Sequence, residues 1–187
     1  MTLLIAVDID STLHHYWPTF AAIARERFGV ELPYDTQRTW GITQLRPEQL
    51  RWCIEQTHTE EYVLSAEPYP GAVDALNRWR AMGHSIHIAS HRSPDSHTCT
   101  AQWLSEIGLQ YDELHCIYDK VPVLAGIGTG LLIDDSPHNI GGALERGIRV
   151  ATIRHPWNSD FCETEDVVIA DDWPGLAREL SSVLSSV

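Results

Sequence analysis

The sequence predicts an α/β fold, a parallel sheet with helices on both faces, three layers in all, and a small helical segment inserted after the first strand. Three observations predict it. From Gly71 onward apolar strands alternate with helices of roughly ten residues, the rhythm of βαβ units. The first strand, Leu3-Leu4-Ile5-Ala6-Val7, is a short unbroken apolar run, as expected of a strand buried on both faces. Residues 14–69 break this rhythm, carrying no convincing buried strand but many aromatics.

Taken in order, the first strand runs into Asp8-Ile9-Asp10-Ser11-Thr12. Phe20, Ile23, Ala24 and Phe28 then recur at helical spacing over 18–28, and Gly29 stops that helix. Pro47-Glu48 opens another, running to about Thr57. Pro68, Pro70 and Gly71 mark the return to the sheet. A helix over Ala72–Met82 ends at Gly83, and Ser85–Ser90 reads as the second strand. A helix over 95–107 ends at Gly108, and Leu114–Tyr118 is a short strand. Gly130–Asp135 is a strand that again ends in two acids. A helix over His138–Arg146, strands over Ile148–Ile153 and Val167–Ile169, and a last helix over Trp173–Leu184 complete the chain. Residues 1–13 and 70–187 are thus expected to form the α/β core, with 14–69 as a separate helical unit.

Composition sets outer bounds. Length 187 suits one domain with a modest insertion, and 43% hydrophobic residues allow an ordinary core. A formal charge of −13 argues against a polynucleotide partner, which needs a basic surface. No run is long enough to span a membrane, so a soluble, cytoplasmic chain is expected. Cys53, Cys99, Cys116 and Cys162 have no C-x-x-C spacing and read as incidental thiols. Lys and Arg total 13, and only Lys120 is a lysine. A compact ammonium is not interchangeable with a guanidinium, which marks Lys120 as a position that refuses Arg.

Polar groups recur just past the ends of the expected parallel strands: Asp8 and Asp10, Ser90, Lys120, and Asp134 with Asp135. In a parallel sheet these ends share one edge, where open α/β sheets bind ligands. Capping of a turn explains one acid at one strand end. It does not explain acids ending two strands with a Ser and a lone Lys between them.

In this order the motifs resemble those of the haloacid dehalogenase superfamily of phosphohydrolases, and the likeness covers the whole chain. The resemblance implies a Rossmann-like core and makes residues 14–69 a helical cap. It also implies Mg²⁺, held by Asp8, the Asp10 backbone carbonyl and Asp134, with Asp135 orienting water or Lys120. Asp8 would be the nucleophile, and Asp10 the acid and then the base. Ser90, Lys120, Ser11 and Thr12 would hold the phosphoryl oxygens. Within the superfamily the chain is similar to the 5′(3′)-deoxyribonucleotidases in its short aromatic cap and in His155-Pro156-Trp157-Asn158. It departs from them at Ser11, where those enzymes commonly carry Gly.

The expected activity is therefore a Mg²⁺-dependent phosphomonoesterase acting through a phosphoaspartate on (deoxy)nucleoside monophosphates. Substrate contacts are expected from Tyr16, Trp17, Trp40, His91, Arg92 and Asn158. For His91 and Arg92, facing solvent is an equal alternative. The expected partner is a small nucleotide-like phosphate ester, with a homodimer as the assembly. Two alternatives stand beside this: a phosphatase of a sugar phosphate or other small metabolite, and a phospho-acceptor signalling module. The module places its acidic pair first and has no cap.

Overall fold

The structure, a computed structural model, describes residues 2–185. Its centre is a six-stranded sheet in the order β3-β2-β1-β4-β5-β6, with every pairing parallel. The strands are β1 (Leu4–Val7), β2 (Ser85–Ser90), β3 (Glu113–Cys116), β4 (Leu131–Ile133), β5 (Arg149–Ile153) and β6 (Val167–Ala170). β1 lies between β2 and β4, and Ile5, Ala6 and Val7 are fully buried. Ile5 and Val7 each contribute about 2 kcal/mol by leaving water.

Helices cover both faces, in three layers as predicted. Ile5, Val7, Ile86 and Ile88 point to α4 (Ala72–Ala81), α5 (His97–Glu106) and α8 (Trp173–Ser185). Ala6, Ala89, Leu132 and Val150 point to α6 (Lys120–Gly126) and α7 (Pro137–Leu144). That alternation is the period of two that a pleated strand imposes. Between β1 and β2 lie α1 (Tyr16–Phe28), α2 (Pro47–Thr57) and the short α3 (Glu60–Leu64). Trp17, Phe20 and Ile23 of α1 meet Cys53 of α2 in a third apolar cluster, which Trp157 joins from beyond β5.

Element bounds shift by a few residues from those expected, as fraying ends do. Two helices were not expected at all. α3 is barely one turn long, and α6 hides behind Pro122 and a run of glycines that read as loop. Pro122 sits in the first turn of α6, where its missing N–H costs nothing. Cys53, Cys99 and Cys116 are free thiols, as expected; the Cys162 side chain lies outside what is described. Among the described residues no helix is long and apolar enough to cross a membrane.

Candidate active site

The chain builds β1, β2 and β3 to one side and then returns to lay β4 on the other side of β1. That reversal opens a crevice beyond the strand ends between β1 and β4. Asp8 follows β1 there, and Asp134 and Asp135 follow β4. The backbone holds both ends in register, with Asp8 N–H on the Ile133 carbonyl at 2.9 Å and Asp134 N–H on the Ala151 carbonyl at 3.2 Å. Carboxylate oxygens of Asp8, Asp134 and Asp135 all lie within 4.8 Å of one another, and all three residues are buried.

One cation faces them. Lys120, at the start of α6, sends its ammonium to the Asp8 carboxylate, to Asp134 Oδ2 at 2.7 Å and to the Ala89 carbonyl at 3.0 Å. Burial works against a charged lysine, but the Asp134 and Asp8 carboxylates outweigh it and hold the Lys120 pKa above its ordinary value. Asp134 accepts further bonds from Ser136 N–H at 2.9 Å and from Asn139 Nδ2 at 3.1 Å. Asp135 accepts from Thr12 Oγ1 at 3.3 Å and Trp157 Nε1 at 3.0 Å. Three buried carboxylates against one ammonium leave an excess of two negative charges. Burial therefore pushes Asp8 up to about 7, assisted by Asp134 and Asp10 and opposed by Lys120, and raises Asp135 as well. An all-oxygen donor set with two surplus charges fits a hard divalent cation such as Mg²⁺.

Asp10 does not join this cluster with its side chain. Its carboxylate turns to Arg92, with Arg92 Nη2 2.8 Å from Oδ1, and to His14 Nε2 at 2.8 Å and His58 Nε2 at 3.4 Å. Burial pushes the Asp10 carboxyl up, but the Arg92 guanidinium and the two imidazoles overcome it and hold it well below the usual range. Since ionised Asp10 only accepts, His14 Nε2 carries the proton of that pair, which leaves the buried His14 Nδ1 without a partner. Arg92 itself is fully buried, bonded also to Thr100 Oγ1 at 3.2 Å and set over the Trp103 ring.

Arg92 thus does not face solvent, which corrects that alternative, and it is not among the residues lining the cavity above the acids. Removing one member of a buried pair strands the other, at about 3–5 kcal/mol. Arg92→Met is accordingly expected to lower unfolding free energy by about 3 kcal/mol, measured by denaturant titration. Adding Asp10→Asn should restore more than half of that loss; a strictly additive double variant would show that the two are not coupled.

Above the acids opens a cavity of about 410 Å³, walled by Tyr16, Trp17, Trp40, Ile54, Tyr118 and Trp157 among others. That volume is in the range that holds small ligands. Of the expected contacts, Tyr16, Trp17, Trp40 and His91 line this cavity, and the buried His91 Nε2 lacks a partner. Ser11 also lines it, at a φ of 65° that costs a non-glycine residue strain. Its carbonyl accepts from His155 Nε2 at 2.7 Å, and His155 Nδ1 meets the Tyr34 hydroxyl at 2.7 Å. Burial lowers His155 to about 4, so the ring is neutral, and it stacks flat on Trp157 at 4.6 Å.

Asn158, Thr12 and Ser90 are not among the residues lining this cavity. Asn158 is fully buried: it donates to the Ile153 carbonyl at 2.9 Å and to Thr152 Oγ1 at 3.1 Å, and accepts from His155 N–H at 2.8 Å. It fastens the loop that presents Trp157 and does not reach the cavity. Thr12 spends its hydroxyl on Asp135, and its carbonyl accepts from Trp173 Nε1 at 2.8 Å. Ser90 ends β2 fully buried, its hydroxyl accepting from Arg92 N–H at 3.4 Å, and it is not part of the cavity wall. His58 and Asn139 join the site with no signal in the sequence, whereas Trp157 and His155 lie in the His155–Asn158 segment noted above.

A buried carboxylate at the end of the first strand, acids after the fourth, a lysine between them and a helical insertion overhead are the arrangement of a haloacid dehalogenase-type phosphohydrolase. Solved structures share the fold. One is described as a predicted phosphoglycolate phosphatase from Haemophilus somnus 129PT, with 17% identity over 97% of this chain and 98% of that one and a TM-score of 0.66. A family IA, variant 3 hydrolase of that superfamily from Entamoeba histolytica gives 13% over 99% and 100%, also at 0.66. CbbY from Rhodobacter sphaeroides, solved in complex with phosphate, gives 15% over 94% and 99% at 0.61. No curated protein matches the sequence. The chain belongs to the family described as 5′ nucleotidase, deoxy (Pyrimidine), cytosolic type C protein, whose model matches residues 2–180. It is a phosphoric monoester hydrolase.

Proposed function

We propose that the chain is a Mg²⁺-dependent phosphomonoesterase of (deoxy)nucleoside monophosphates, working through a phosphoaspartyl intermediate in the cytoplasm, with residues 14–69 as its cap. The observation that carries this reading is the acid cluster of Asp8, Asp134 and Asp135 opening directly into an aromatic-walled cavity of about 410 Å³. Carboxylates suit a phosphate-bound cation, and flat rings suit a nucleobase, whose stacking is worth about 1–3 kcal/mol per base.

In this mechanism an Asp8 oxygen attacks phosphorus as the ester P–O bond breaks, and the departing oxygen takes up a proton. Water then attacks the phosphoaspartate, its proton passes to Asp10, and Asp8 leaves as a carboxylate with release of phosphate. Arg92 keeps Asp10 ionised and so favours the base half of the cycle. The acid half asks for a proton there, and His58, in the cavity wall and 3.4 Å from Asp10 Oδ2, is the neighbour placed to hand it over. Lys120 meets charge building on the phosphoryl oxygens. Mg²⁺, held by Asp8, Asp134 and Asp135, would offset the repulsion between a dianionic ester and the acids.

A kinetic screen of phosphate esters with and without Mg²⁺ tests both parts. Phosphate release is expected to stop on chelation and return with Mg²⁺, and nucleoside monophosphates should lead in kcat/KM. Sugar phosphates leading by about tenfold, some 1.4 kcal/mol of transition-state binding, would overturn the substrate reading.

A further inference from the structure

A second group of metal-ligating atoms lies on the other flank of β1. His87 sits on β2, and Glu113 and His115 sit on the edge strand β3. The register pairs His87 with Glu113 and Ala89 with His115, so all three side chains share the sheet face that also carries Ala6 and Leu132. Small residues beside them leave the imidazoles room to converge. His87 Nδ1 lies 3.1 Å from His115 Nε2, and the Glu113 Oε2 atom stands 3.4 Å from His115 Nε2 and 4.0 Å from His87 Nδ1.

These separations are those of a coordination edge. Two ligands about 2.05 Å from a tetrahedral Zn²⁺ stand roughly 3.3 Å apart. The three observed distances bracket that value without any side chain having to move far. Hydrogen bonding accounts for them less well. The His115 Nε2 proton, if present, can serve His87 or Glu113 but not both, and a carboxylate only accepts. Three potential ligand atoms within 4.0 Å of one another leave room for a cation between them.

We infer that His87, His115 and Glu113 form a site for a divalent transition metal, Zn²⁺ by its two-imidazole, one-carboxylate donor set. The exposed side of Glu113 leaves the fourth position to water. The ion ties edge strand β3 to β2 directly upstream of the loop that delivers Lys120. It is distinct from the all-oxygen acid cluster, which prefers a harder ion.

Equilibrium dialysis of the full chain against ZnCl₂ in excess MgCl₂ tests this. Wild type and Asp134→Asn are each expected to retain one Zn²⁺, His87→Gln and His115→Gln to lose it, and Glu113→Gln to bind about tenfold or more weakly. Glu113 is exposed, so that variant keeps the fold whatever the histidines do. Zn²⁺ should also raise the unfolding temperature only where both histidines remain. No retention by wild type, equal retention by all variants, or loss that follows Asp134 in place of His115 would each overturn the assignment.

Discussion

Asp8→Asn protein is expected to fold normally and to lose turnover by at least about 10⁴-fold, the scale seen when a nucleophile is removed from a covalent mechanism. The amide nitrogen and oxygen occupy the carboxylate's volume, so packing at the end of β1 is unchanged. Charge is what changes. Asp8 is one of three buried carboxylates, and burial already drives it toward protonation at about 7. Neutralising it removes like-charge repulsion with Asp134 while Lys120 keeps its 2.7 Å contact to Asp134. The unfolding temperature should therefore stay within about 2 °C of wild type or rise. This separates chemistry from folding, which an alanine would not. Rapid-quench labelling of wild type should show a transient phosphoenzyme that the variant never forms. Multiple turnover by the variant above about one-thousandth of the wild-type rate would remove Asp8 from the nucleophile's role.

The layered core and one half of the site were legible because they rest on local pattern. A short apolar run ending in an acid says both "buried parallel strand" and "ligand edge", and it does so for β1 and β4 alike. The environment of Asp10 was not legible. Arg92 and His58 reach it from β2's end and from beyond α2, and no spacing rule links positions so far apart; only His14 is a sequence neighbour. Neither does sequence say where an acid points. Asp8 and Asp10 look like a pair, yet the carboxylate that gathers with Asp8 is that of Asp135, because the sharp turn at Ser11 swings Asp10 toward Arg92. The surroundings of Asn158 were hidden for a related reason. A polar residue after a late strand resembles a ligand contact, but a loop that presents a tryptophan first needs a donor for its own buried carbonyls.

Lys120→Arg should cut kcat by about a hundredfold or more, although charge is conserved. The Lys120 ammonium has three N–H donors and three acceptors: the Asp8 carboxylate, Asp134 Oδ2 and the Ala89 carbonyl. Its side chain is fully enclosed. A guanidinium brings five donors and a wider, planar head into the same space. Two N–H groups are then left without partners, at about 1–3 kcal/mol each, and overpacking adds about 1–3 kcal/mol unless Asp8 or Asp134 is displaced. Displacement is the cheaper outcome, and it moves the nucleophile. Lys120→Met distinguishes geometry from charge. It fits the space but leaves three buried carboxylates with no cation beside them, so it should lose activity and also stability, whereas Arg loses chiefly activity. In a chain that uses arginine for every other cation, retention of more than a tenth of wild-type kcat by Lys120→Arg would show that composition, and not chemistry, placed the one lysine here.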